Sequence, residues 1–546
     1  MFSRELPDTK FNRHLIAQMI EMAKPYLGST PECLSYTLFR EFFETGIRTN
    51  YEEKFFDHRR RLNCLFFSYL ATKDEKYLDP LFDAIFAISD EYSWAVPAHL
   101  KDRPIHTTVG RIDLFASETV YSLAVIDHIL GDTLPTIIRE RIRYEAERRI
   151  LTPFYEKTDT YIKNNWSAIQ SAGILATFVY LFPDKLEEAI PDIVPIMENF
   201  LDSYNEDGCC MEGALYWIYG FGFFVYGANM LREATEGKID LFTSQKVKNM
   251  ARYFENISFK NSYVVPFADT SLRCKVRMGI SAFIHREFGI AYPAYESLTD
   301  IRDDFRFRFV DILHDLYWSV DFDSTRTITP GEHFYPDSQW YICRTEGLSF
   351  SAKGGHNHEP HNHNDIGNFA LFDGEKTVLG DLGWEDYTRD YFGPLRYTNF
   401  ILTPSSGHTV PIVDGKLQIE VYEKAKILEV GNGKFSLDIG HAYGVEHFLR
   451  HMSLVGDTFT LTDECALPFA ERLVTGFLPE LCDGVLTIET LRIEPSVPCD
   501  IEITSAPYHP RRIICSDDLK EVETAYFVTI TPKEKTPSLT LTFTKV

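Results

Sequence analysis

The sequence lacks the long apolar runs of a membrane protein and the cysteine motifs of a zinc ribbon or a thioredoxin. It contains no run of about 18 apolar residues, and its first stretch, MFSRELPDTKFNRHLIAQMIEMAKPYLG, has no apolar core of a secretory signal. The ten cysteines include the adjacent Cys209 and Cys210 but no C-x-x-C pair. We therefore expect a cytoplasmic protein with reduced thiols and no membrane partner.

Positive charge is also scarce. The 55 Lys and Arg residues stand against 80 Asp and Glu residues, which gives a formal net charge of −25. No general positive field therefore attracts nucleic acid, and we predict no nucleic-acid partner. A polyanionic ligand would have to be bound by a local group of Arg, Lys, Asn or His inside a cleft.

The composition is that of a soluble globular protein, with 44% hydrophobic and 14% aromatic residues over 546 positions. In the first part of the chain the hydrophobic period is helical. Apolar residues recur every four positions from Ile138 to Ile150, and we expect Pro153 to end that helix. The stretch 166–182 is apolar almost all round, which a helix tolerates only when other helices surround it. Amphipathic outer helices around apolar inner ones predict a helical toroid.

In the last part of the chain the hydrophobic period becomes two. Leu539, Leu541 and Phe543 alternate with threonines, and short strands separated by Gly, Pro, Asn and Asp favour an antiparallel β-sandwich. We therefore predict an (α/α) toroid over residues 1–325 and a β-sandwich over residues 326–546, with the boundary in the turn-rich STRTITPGEHFYP. Because no long linker separates them, the two domains should pack together and form a cleft.

Four of the 17 histidines fall within eight positions of the segment KGGHNHEPHNHNDIGNF, namely His356, His358, His361 and His363. In an extended segment residues two apart share a face, so His361 and His363 can reach one site. Imidazoles this close suit metal binding, proton transfer, or both. For His356 and His358 we favour a polar, hydrogen-bonded loop.

Two later segments add further metal-ligand residue types. Asp381 in VLGDLGW and His408 in SSGHTVPIVDG each lie in a predicted short apolar strand bounded by glycine. Two His and one Asp with an open position form a reasonable set for Zn²⁺. The string HNHND also matches the H-x-H-x-D core of the metallo-β-lactamase hydrolases, but Ile366 stands where that pattern continues with His. Such a hydrolase is a minor alternative.

Two stretches in the helical half combine polar and aromatic residues. Asn164 and Asn165 precede the apolar inner helix, and we expect one of them to cap that helix while the other faces a ligand. The second stretch, EGALYWIYGFG at 212–222, places three aromatic residues among glycines. It therefore offers sugar-stacking faces and phenol groups beside backbone that a ligand can approach closely.

Together these motifs resemble those of the heparinase II/III-like polysaccharide lyases, across both halves of the chain. The segment GGHNHEPHNHNDIGNFALFDGEKTVLGDLGWEDYT is similar to the central signature of that family, and HTVPIVDG to its histidine-containing strand. NNW and EGALYWIYGFG are similar to its two active-site stretches. The resemblance implies a toroid followed by a sandwich, and a zinc ion of mainly structural role bound by His363, Asp381 and His408.

The resemblance also implies site residues. His361 matches the catalytic histidine, Tyr216 the catalytic tyrosine, and Asn165 the residue that neutralises the uronate carboxylate. Tyr387 falls where some members carry a second catalytic tyrosine. Trp166 stands where some members have a histidine, so neutralisation is expected to need an arginine that the sequence does not identify. The residues expected to contact substrate are Asn164, Trp166, Glu212, Trp217 and Tyr219.

Lyases of this type cleave a 4-linked uronic acid by β-elimination, removing the C5 proton and expelling the oxygen on C4. Donors must bind the carboxylate and stabilise its enolate-like charge, while a base reaches C5 and an acid reaches the leaving oxygen. We assign the base and the acid to Tyr216 and His361 as a pair, in no fixed order.

The predicted substrate is an acidic oligo- or polysaccharide, of glycosaminoglycan type ahead of alginate type. Two other classes stay open, a catalytically silent carbohydrate-binding protein of the same fold and a zinc metallohydrolase. The oligomeric state is not set by the sequence, and a homodimer is one of the open cases.

Overall fold

The computed structural model describes residues 2–100, 108–304, 306–321, 328–511 and 522–546. Helices fill the first part of the chain and antiparallel sheets fill the second, so the predicted order is confirmed. The last helix of the first part, Phe309–Trp318, and the first strand, Gly331–Tyr335, stand on either side of the predicted boundary. The boundary between residues 325 and 326 itself lies outside the described residues.

The α-helical segments of the first part are Lys10–Ala23, Tyr36–Thr45, Thr49–Thr72, Leu78–Asp90, Leu114–Leu130, Thr136–Ala146, Thr152–Glu156, Asn165–Ala176, Leu186–Leu201, Ala214–Tyr216, Gly222–Ala234, Gln245–Ile257, Met278–Phe288 and Phe309–Trp318. π-helical turns continue or join some of them at Glu147–Leu151, Thr177–Leu181 and Trp217–Phe221. A short helix, Arg396–Asn399, lies among the strands.

The inner helix, Asn165–Ala176, is buried along its length except at the partly exposed Trp166, as its apolar sequence predicts. The prediction that Pro153 ends the preceding helix is wrong. The π-helical turn Glu147–Leu151 leads directly into Thr152–Glu156, where Pro153 occupies the first turn. A proline is tolerated there because an N–H at that position needs no helical acceptor.

The strands of the second part are β1 Gly331–Tyr335, β2 Trp340–Arg344, β3 Ser349–Lys353, β4 Phe369–Phe372, β5 Thr377–Leu379, β6 Ile412–Val413, β7 Lys426–Gly431, β8 Lys434–Asp438, β9 Leu449–Val455, β10 Thr458–Glu464, β11 Phe469–Thr475, β12 Glu480–Cys482, β13 Val485–Ile488, β14 Leu491–Pro495, β15 Cys499–Tyr508, β16 Glu523–Pro532 and β17 Ser538–Lys545. They form antiparallel sheets in the orders β1-β2-β3-β4-β5, β12-β13-β14-β17-β10-β9-β8-β7 and β15-β16-β11-β6. The predicted alternation in β17 is confirmed, since Leu539, Leu541 and Phe543 are buried between more exposed threonines.

The first sheet packs against the helices. The ring of Phe372 on β4 stacks on Phe259 at a centroid distance of 5.0 Å, and Trp340 on β2 meets Phe267 edge-on at 5.2 Å. These contacts bring the loops that follow β3 and β5 against the helical region. The two parts therefore pack together, as the absence of a long linker predicts.

Within the described residues, no single helix is long and apolar enough to span a membrane. One bent pair, Asn165–Leu181 with Pro183–Leu201, meets the length and composition criteria when the two helices are taken together. The described cysteines are all free thiols, including Cys209 and Cys210.

Candidate active site

A cavity of about 650 Å³ lies between the helices and the sandwich loops. The helical side contributes residues such as Asn165, Trp166 and Tyr216, and the sandwich side contributes His361 and Tyr387. Residues predicted from separate parts of the sequence therefore meet at one concave site. A cavity of this volume is in the usual size range of small-ligand sites, roughly 300–1,000 Å³.

Two tyrosines and a histidine are in direct contact at the cavity wall. The hydroxyl oxygens of Tyr216 and Tyr387 are 2.6 Å apart, and the rings of Tyr216 and His361 lie 4.2 Å apart at 34°. Rings this close touch each other, so no sugar ring can lie between them. The phenol and the imidazole consequently face a ligand from the same side.

Local backbone features place these side chains. Tyr216 ends the short helix Ala214–Tyr216, which begins after Gly213 at φ +102°. His361 has φ +54° in a loop, so the expected extended segment around it is wrong. A left-handed backbone is uncommon for residues other than glycine, and residues that adopt it often occur at functional sites. The loop nevertheless brings both His361 and His363 to one carboxylate.

That carboxylate belongs to Asp269, which the sequence reasoning missed. Its Oδ2 accepts hydrogen bonds from His361 Nδ1 at 2.7 Å and from the Tyr387 hydroxyl at 2.8 Å. Its Oδ1 accepts from His363 Nε2 at 2.9 Å and from the Tyr391 hydroxyl at 2.6 Å, with Arg396 Nη2 at 3.3 Å. Asp269 is fully buried and lies beyond the reach of solvent.

The hydrogen bonds decide which atoms are free. His361 donates its Nδ1 hydrogen to Asp269, so its Nε2 carries the free electron pair, 3.8 Å from Glu212 Oε2. Tyr387 donates to Asp269, so Tyr216 is the donor in the Tyr216–Tyr387 bond. Burial, together with the negative charge of Asp269, raises the pKa of Tyr216 well above its usual value. Both phenols are therefore protonated near neutral pH.

Asn164 and Asn165 divide their roles as the sequence indicates. The side-chain oxygen of Asn164 accepts from the Trp166 backbone N–H at 3.0 Å, which caps the inner helix. Asn165 is 7% exposed, lines the cavity, and its amide has no hydrogen-bond partner among the described residues. Trp166 also lines the cavity, where its ring contacts His99 at 4.7 Å.

The other three expected substrate contacts differ in where they lie. Tyr219 lines the cavity and donates its hydroxyl hydrogen to Glu118, whereas Glu212 is partly buried and lines a small adjoining cavity. The expectation for Trp217 is wrong. Its ring is fully buried between Phe221 and Phe254, and its indole N–H donates to the Met250 carbonyl at 2.7 Å.

The cavity is positively lined although the chain is acidic. Three Asp residues face it, together with eight basic residues, which are Arg48, Arg111, Lys275, Arg277, Arg306, Arg308, Arg389 and Arg511. Burial and the nearby charges of Arg308 and Arg511 lower the pKa of Arg306 to about 10. This is the local basic group inside a cleft that an acidic ligand would require.

Arg511 and Arg389 differ from the other cavity cations. Within the described part of the chain neither guanidinium forms an ion pair with a carboxylate, although Arg511, with Arg48 and Arg306, offsets burial and lowers the pKa of Glu52. Arg511 instead lies 3.8 Å over the ring of Tyr387 and 5.4 Å from that of Trp384. No sequence motif marks Arg511, which lies 124 positions beyond Tyr387 in a different strand connection. Asp269 carried a weak signal, as a carboxylate directly after the apolar stretch VVPFA.

His363, Asp381 and His408 form a buried group that can hold a metal ion. Their ligand atoms lie within 4.8 Å of one another. His363 Nδ1, Asp381 Oδ2 and His408 Nε2 are each buried without a hydrogen-bond partner in the described structure. Since unpaired buried polar atoms are rare and costly, their convergence fits a cation.

The remaining atoms of the group are held by neighbours. His363 Nε2 donates to Asp269, His408 Nδ1 donates to Asp381 Oδ1 at 2.6 Å, and Asn368 donates to the same oxygen at 2.7 Å. Such partners orient ligands in metal sites. Asp381 and His408 lie just after β5 and just before β6, so the expectation that they lie within strands is wrong.

Comparison with known proteins gives a match of fold. No protein-family profile matches the sequence, and no curated protein sequence matches it. A solved structure of heparinase III has a TM-score of 0.66 at 14% identity, covering 99% of this chain and 86% of that chain. A mutant of the heparan sulfate lyase HepC from Pedobacter heparinus has a TM-score of 0.59 at 16% identity, covering 100% and 84%.

A third match comes from a different substrate class. The chondroitin AC lyase of Streptomyces coelicolor A3, in complex with chondroitin sulphate, has a TM-score of 0.54 at 10% identity, covering 98% of this chain and 80% of that chain. The fold of the chain is thus that of these lyase structures, helical toroid first and antiparallel sandwich second. The predicted fold class is confirmed over the length of the chain.

Proposed function

We propose that the chain is a polysaccharide lyase that cleaves 4-linked uronic-acid glycans by β-elimination, and that glycosaminoglycan-type oligosaccharides are its preferred substrates. The observation that carries the proposal is the contact between Tyr216, Tyr387 and His361 inside a positively lined cavity. The similar structures support it, because their names are those of heparinase III, a heparan sulfate lyase and a chondroitin AC lyase.

Asn165 and Arg511 are suited to bind the substrate carboxylate. The Asn165 amide is unpartnered and the Arg511 guanidinium forms no ion pair in the described residues, so each has donors available for an anion. A carboxylate bound in this way bears less charge, which makes the neighbouring C5 hydrogen more acidic. The same donors stabilise the enolate-like transition state. Arg511 thus fills the role for which the sequence offered no arginine.

His361 and Tyr216 are suited to the base and acid roles respectively. The free Nε2 of His361 can accept the C5 proton. Tyr216 retains its proton because burial and Asp269 raise its pKa, so it can donate to the oxygen leaving C4. Tyr387, hydrogen-bonded to both Tyr216 and Asp269, positions the phenol of Tyr216.

The approach of Tyr216 and His361 from the same side of the sugar favours uronates of one C5 configuration. Because the rings of Tyr216 and His361 touch, base and acid approach one face of the sugar. In D-glucuronate and D-mannuronate the C5 hydrogen and the C4 oxygen lie on the same face, whereas in their C5 epimers, L-iduronate and L-guluronate, they lie on opposite faces. We therefore propose that the D-configured residues are cleaved.

Zinc is the ion we propose for His363, Asp381 and His408, because two imidazoles and a carboxylate match its preferences. When bound, the ion would supply a fixed positive charge that holds these three side chains together. Each of the three is at most 1% exposed, so a substrate cannot reach them. This burial argues against a hydrolase in which a metal-bound water attacks the glycan.

The test is a substrate panel. Purified protein is given glucuronate-rich and iduronate-rich glycosaminoglycans and the two epimeric alginate blocks, and the ultraviolet absorbance of unsaturated uronate is followed with mass analysis of products. We expect absorbance from the glucuronate-rich substrates and much less from the epimers. Products that gain the mass of water would mean a hydrolase, and binding without products across the panel would mean a silent carbohydrate-binding protein.

A further inference from the structure

Asp269 is hydrogen-bonded both to a cavity residue and to a residue of the metal group. Its Oδ2 accepts from His361, which faces the cavity, and its Oδ1 accepts from His363, which faces the metal group. We propose that Asp269 is a positioning residue that couples the metal group to the imidazole of His361. It comes from the helical half, while both histidines come from the sandwich half.

The coupling follows from the two tautomers. An ionised carboxylate only accepts hydrogen bonds, so both imidazoles must present an N–H to Asp269. His361 therefore carries its hydrogen on Nδ1 and leaves Nε2 bare toward the cavity. His363 carries its hydrogen on Nε2 and leaves Nδ1 bare, and that Nδ1 is one of the three unpartnered atoms of the metal group. One carboxylate thus sets the reactive nitrogen of both rings.

The position of Asp269 is tightly determined by packing. Gly213, directly before the helix of Tyr216, packs so closely on this loop that a Cβ would lie 2.9 Å from Thr270 Cβ. Gly383, two residues after Asp381, would place a Cβ 3.1 Å from the Thr270 carbonyl oxygen. Both glycines have positive φ, at +102° and +97°. The loop is therefore confined between the tyrosine segment and the metal-ligand segment.

The donors around Asp269 also keep it charged. Four side chains donate hydrogen bonds to its two oxygens, and Arg396 Nη2 lies 3.3 Å from Oδ1, so contacts on both oxygens stabilise the charged form. Every strong acceptor direction of the carboxylate is occupied, so the side chain has no alternative arrangement to adopt. A shift of His363 on metal binding is accordingly transmitted to the atom that holds His361.

The experiment compares Asp269→Asn with the wild-type protein for metal affinity and for turnover. The amide is isosteric, but it presents N–H groups where one imidazole needs an acceptor. We expect zinc affinity, measured by competition with a chelator, to fall by about 10- to 100-fold, the usual loss when a partner of a metal ligand is removed. On a uronate substrate we expect kcat to fall by a similar factor while KM changes by less than about twofold.

Asp463→Asn is the matched control. Asp463 is equally buried and is hydrogen-bonded to Arg450 at 2.7 Å, in the sandwich core and away from the cavity. A general loss of stability would appear in both variants, whereas loss of zinc affinity and of kcat should appear only in Asp269→Asn. Equal zinc affinity or equal kcat in Asp269→Asn and the wild type would overturn the proposal.

A second measurement needs no variant that folds poorly. Nitrogen-15 NMR of histidine-labelled wild-type protein reports the tautomer of each ring, with assignments from His361→Gln and His363→Gln. We expect His361 as the Nδ1–H tautomer and His363 as the Nε2–H tautomer in the zinc-bound protein, and a changed His361 signal when zinc is removed. An Nε2–H tautomer at His361, or a His361 signal indifferent to zinc, would contradict the coupling.

The kinetic arm rests on the proposed lyase function, whereas the zinc and NMR arms do not. If the wild type cleaves no uronate, the proposed function fails while these two arms still decide the role of Asp269.

Discussion

The cations on the helical wall and on the sandwich wall of the cavity differ in whether they are paired with carboxylates. On the helical wall several cations are paired with carboxylates, as Arg308 is with Asp304 at 2.9 Å, Lys275 with Asp303 at 3.1 Å and Arg277 with Asp315 at 2.8 Å. On the sandwich wall, Arg389 and Arg511 have no such partner in the described residues. The guanidinium groups of the sandwich wall are therefore available to bind an anion. The paired cations of the helical wall instead stabilise the packing of the helices.

The histidines of the two walls show the same contrast. His361 has a free ring nitrogen at the cavity, and its other nitrogen is fixed by Asp269. On the helical wall, His99 donates to Asp113 at 2.6 Å and packs on Phe115 and Trp166. Since loss of a partner in a buried pair costs about 3–5 kcal/mol, variants on the helical wall should lose stability. Variants on the sandwich wall should lose turnover or affinity instead.

The largest effect is expected from the groups proposed as base and acid. His361→Ala and Tyr216→Phe should each lower kcat by about 1,000-fold or more, since each removes a proton-transfer group that contributes roughly 10²–10⁴ in rate. The measurement is the rate of formation of unsaturated uronate. Tyr180→Phe is the control, because Tyr180 is a buried tyrosine that does not line the cavity. Turnover at the wild-type rate in His361→Ala would remove the proposed site.

Removal of the metal tests a different property. In a chelator-treated protein, and in His408→Ala, the buried Asp381 loses a positive partner, so the midpoint of thermal unfolding should fall in both. Added zinc should restore the midpoint of the chelator-treated protein but not that of His408→Ala. Because Asp269 still holds His361, kcat should fall far less than in His361→Ala. His356→Ala, in the polar loop, serves as the control. An unchanged midpoint after verified removal of the ion would show that the ion has no structural role.

Arg511→Gln and Arg308→Gln compare the two walls directly. Arg511→Gln should raise KM about tenfold with little change in the unfolding midpoint, because its guanidinium forms no ion pair among the described residues and only adds to the charges near Glu52. Arg308→Gln should instead cost about 3 kcal/mol of stability, since the partly buried Asp304 and Glu118 both lose the cation they are paired with. Kinetics and thermal unfolding of both proteins check this. The same phenotype in both variants would abolish the distinction between the walls.

Much of the fold was predictable because its signals are local. The apolar sequence of 166–182 indicated a buried helix, and the alternation in β17 indicated a strand with one buried face. The site residues that carry sequence motifs, such as Tyr216 and His361, were also identifiable. Their contact across 145 positions was inferred through resemblance, since nothing local to either segment specifies the other.

The misses have physical causes as well. Trp217 follows Tyr216 in the same motif, but it begins a π-helical turn that places its ring in the core. No sequence pattern predicts that turn. Asp269 and Arg511 belong to no motif, and their roles arise only from tertiary packing around Gly213, Gly383 and Tyr387. A single sequence therefore does not predict which isolated polar residues, far apart in the chain, come together at one site.

The smallest effect is expected when a paired cation of the helical wall is released. Asp303→Asn keeps an acceptor for the Asp300 backbone N–H but removes the negative charge beside Lys275. The helical wall then resembles the sandwich wall, so KM for an acidic substrate should fall by about two- to fivefold at low salt, with the difference lost at high salt. Asp8→Asn changes the net charge equally at an exposed site, paired with Arg13. A similar decrease in KM in Asp8→Asn would show that total charge, and not the pairing of cations at the cavity, controls substrate affinity.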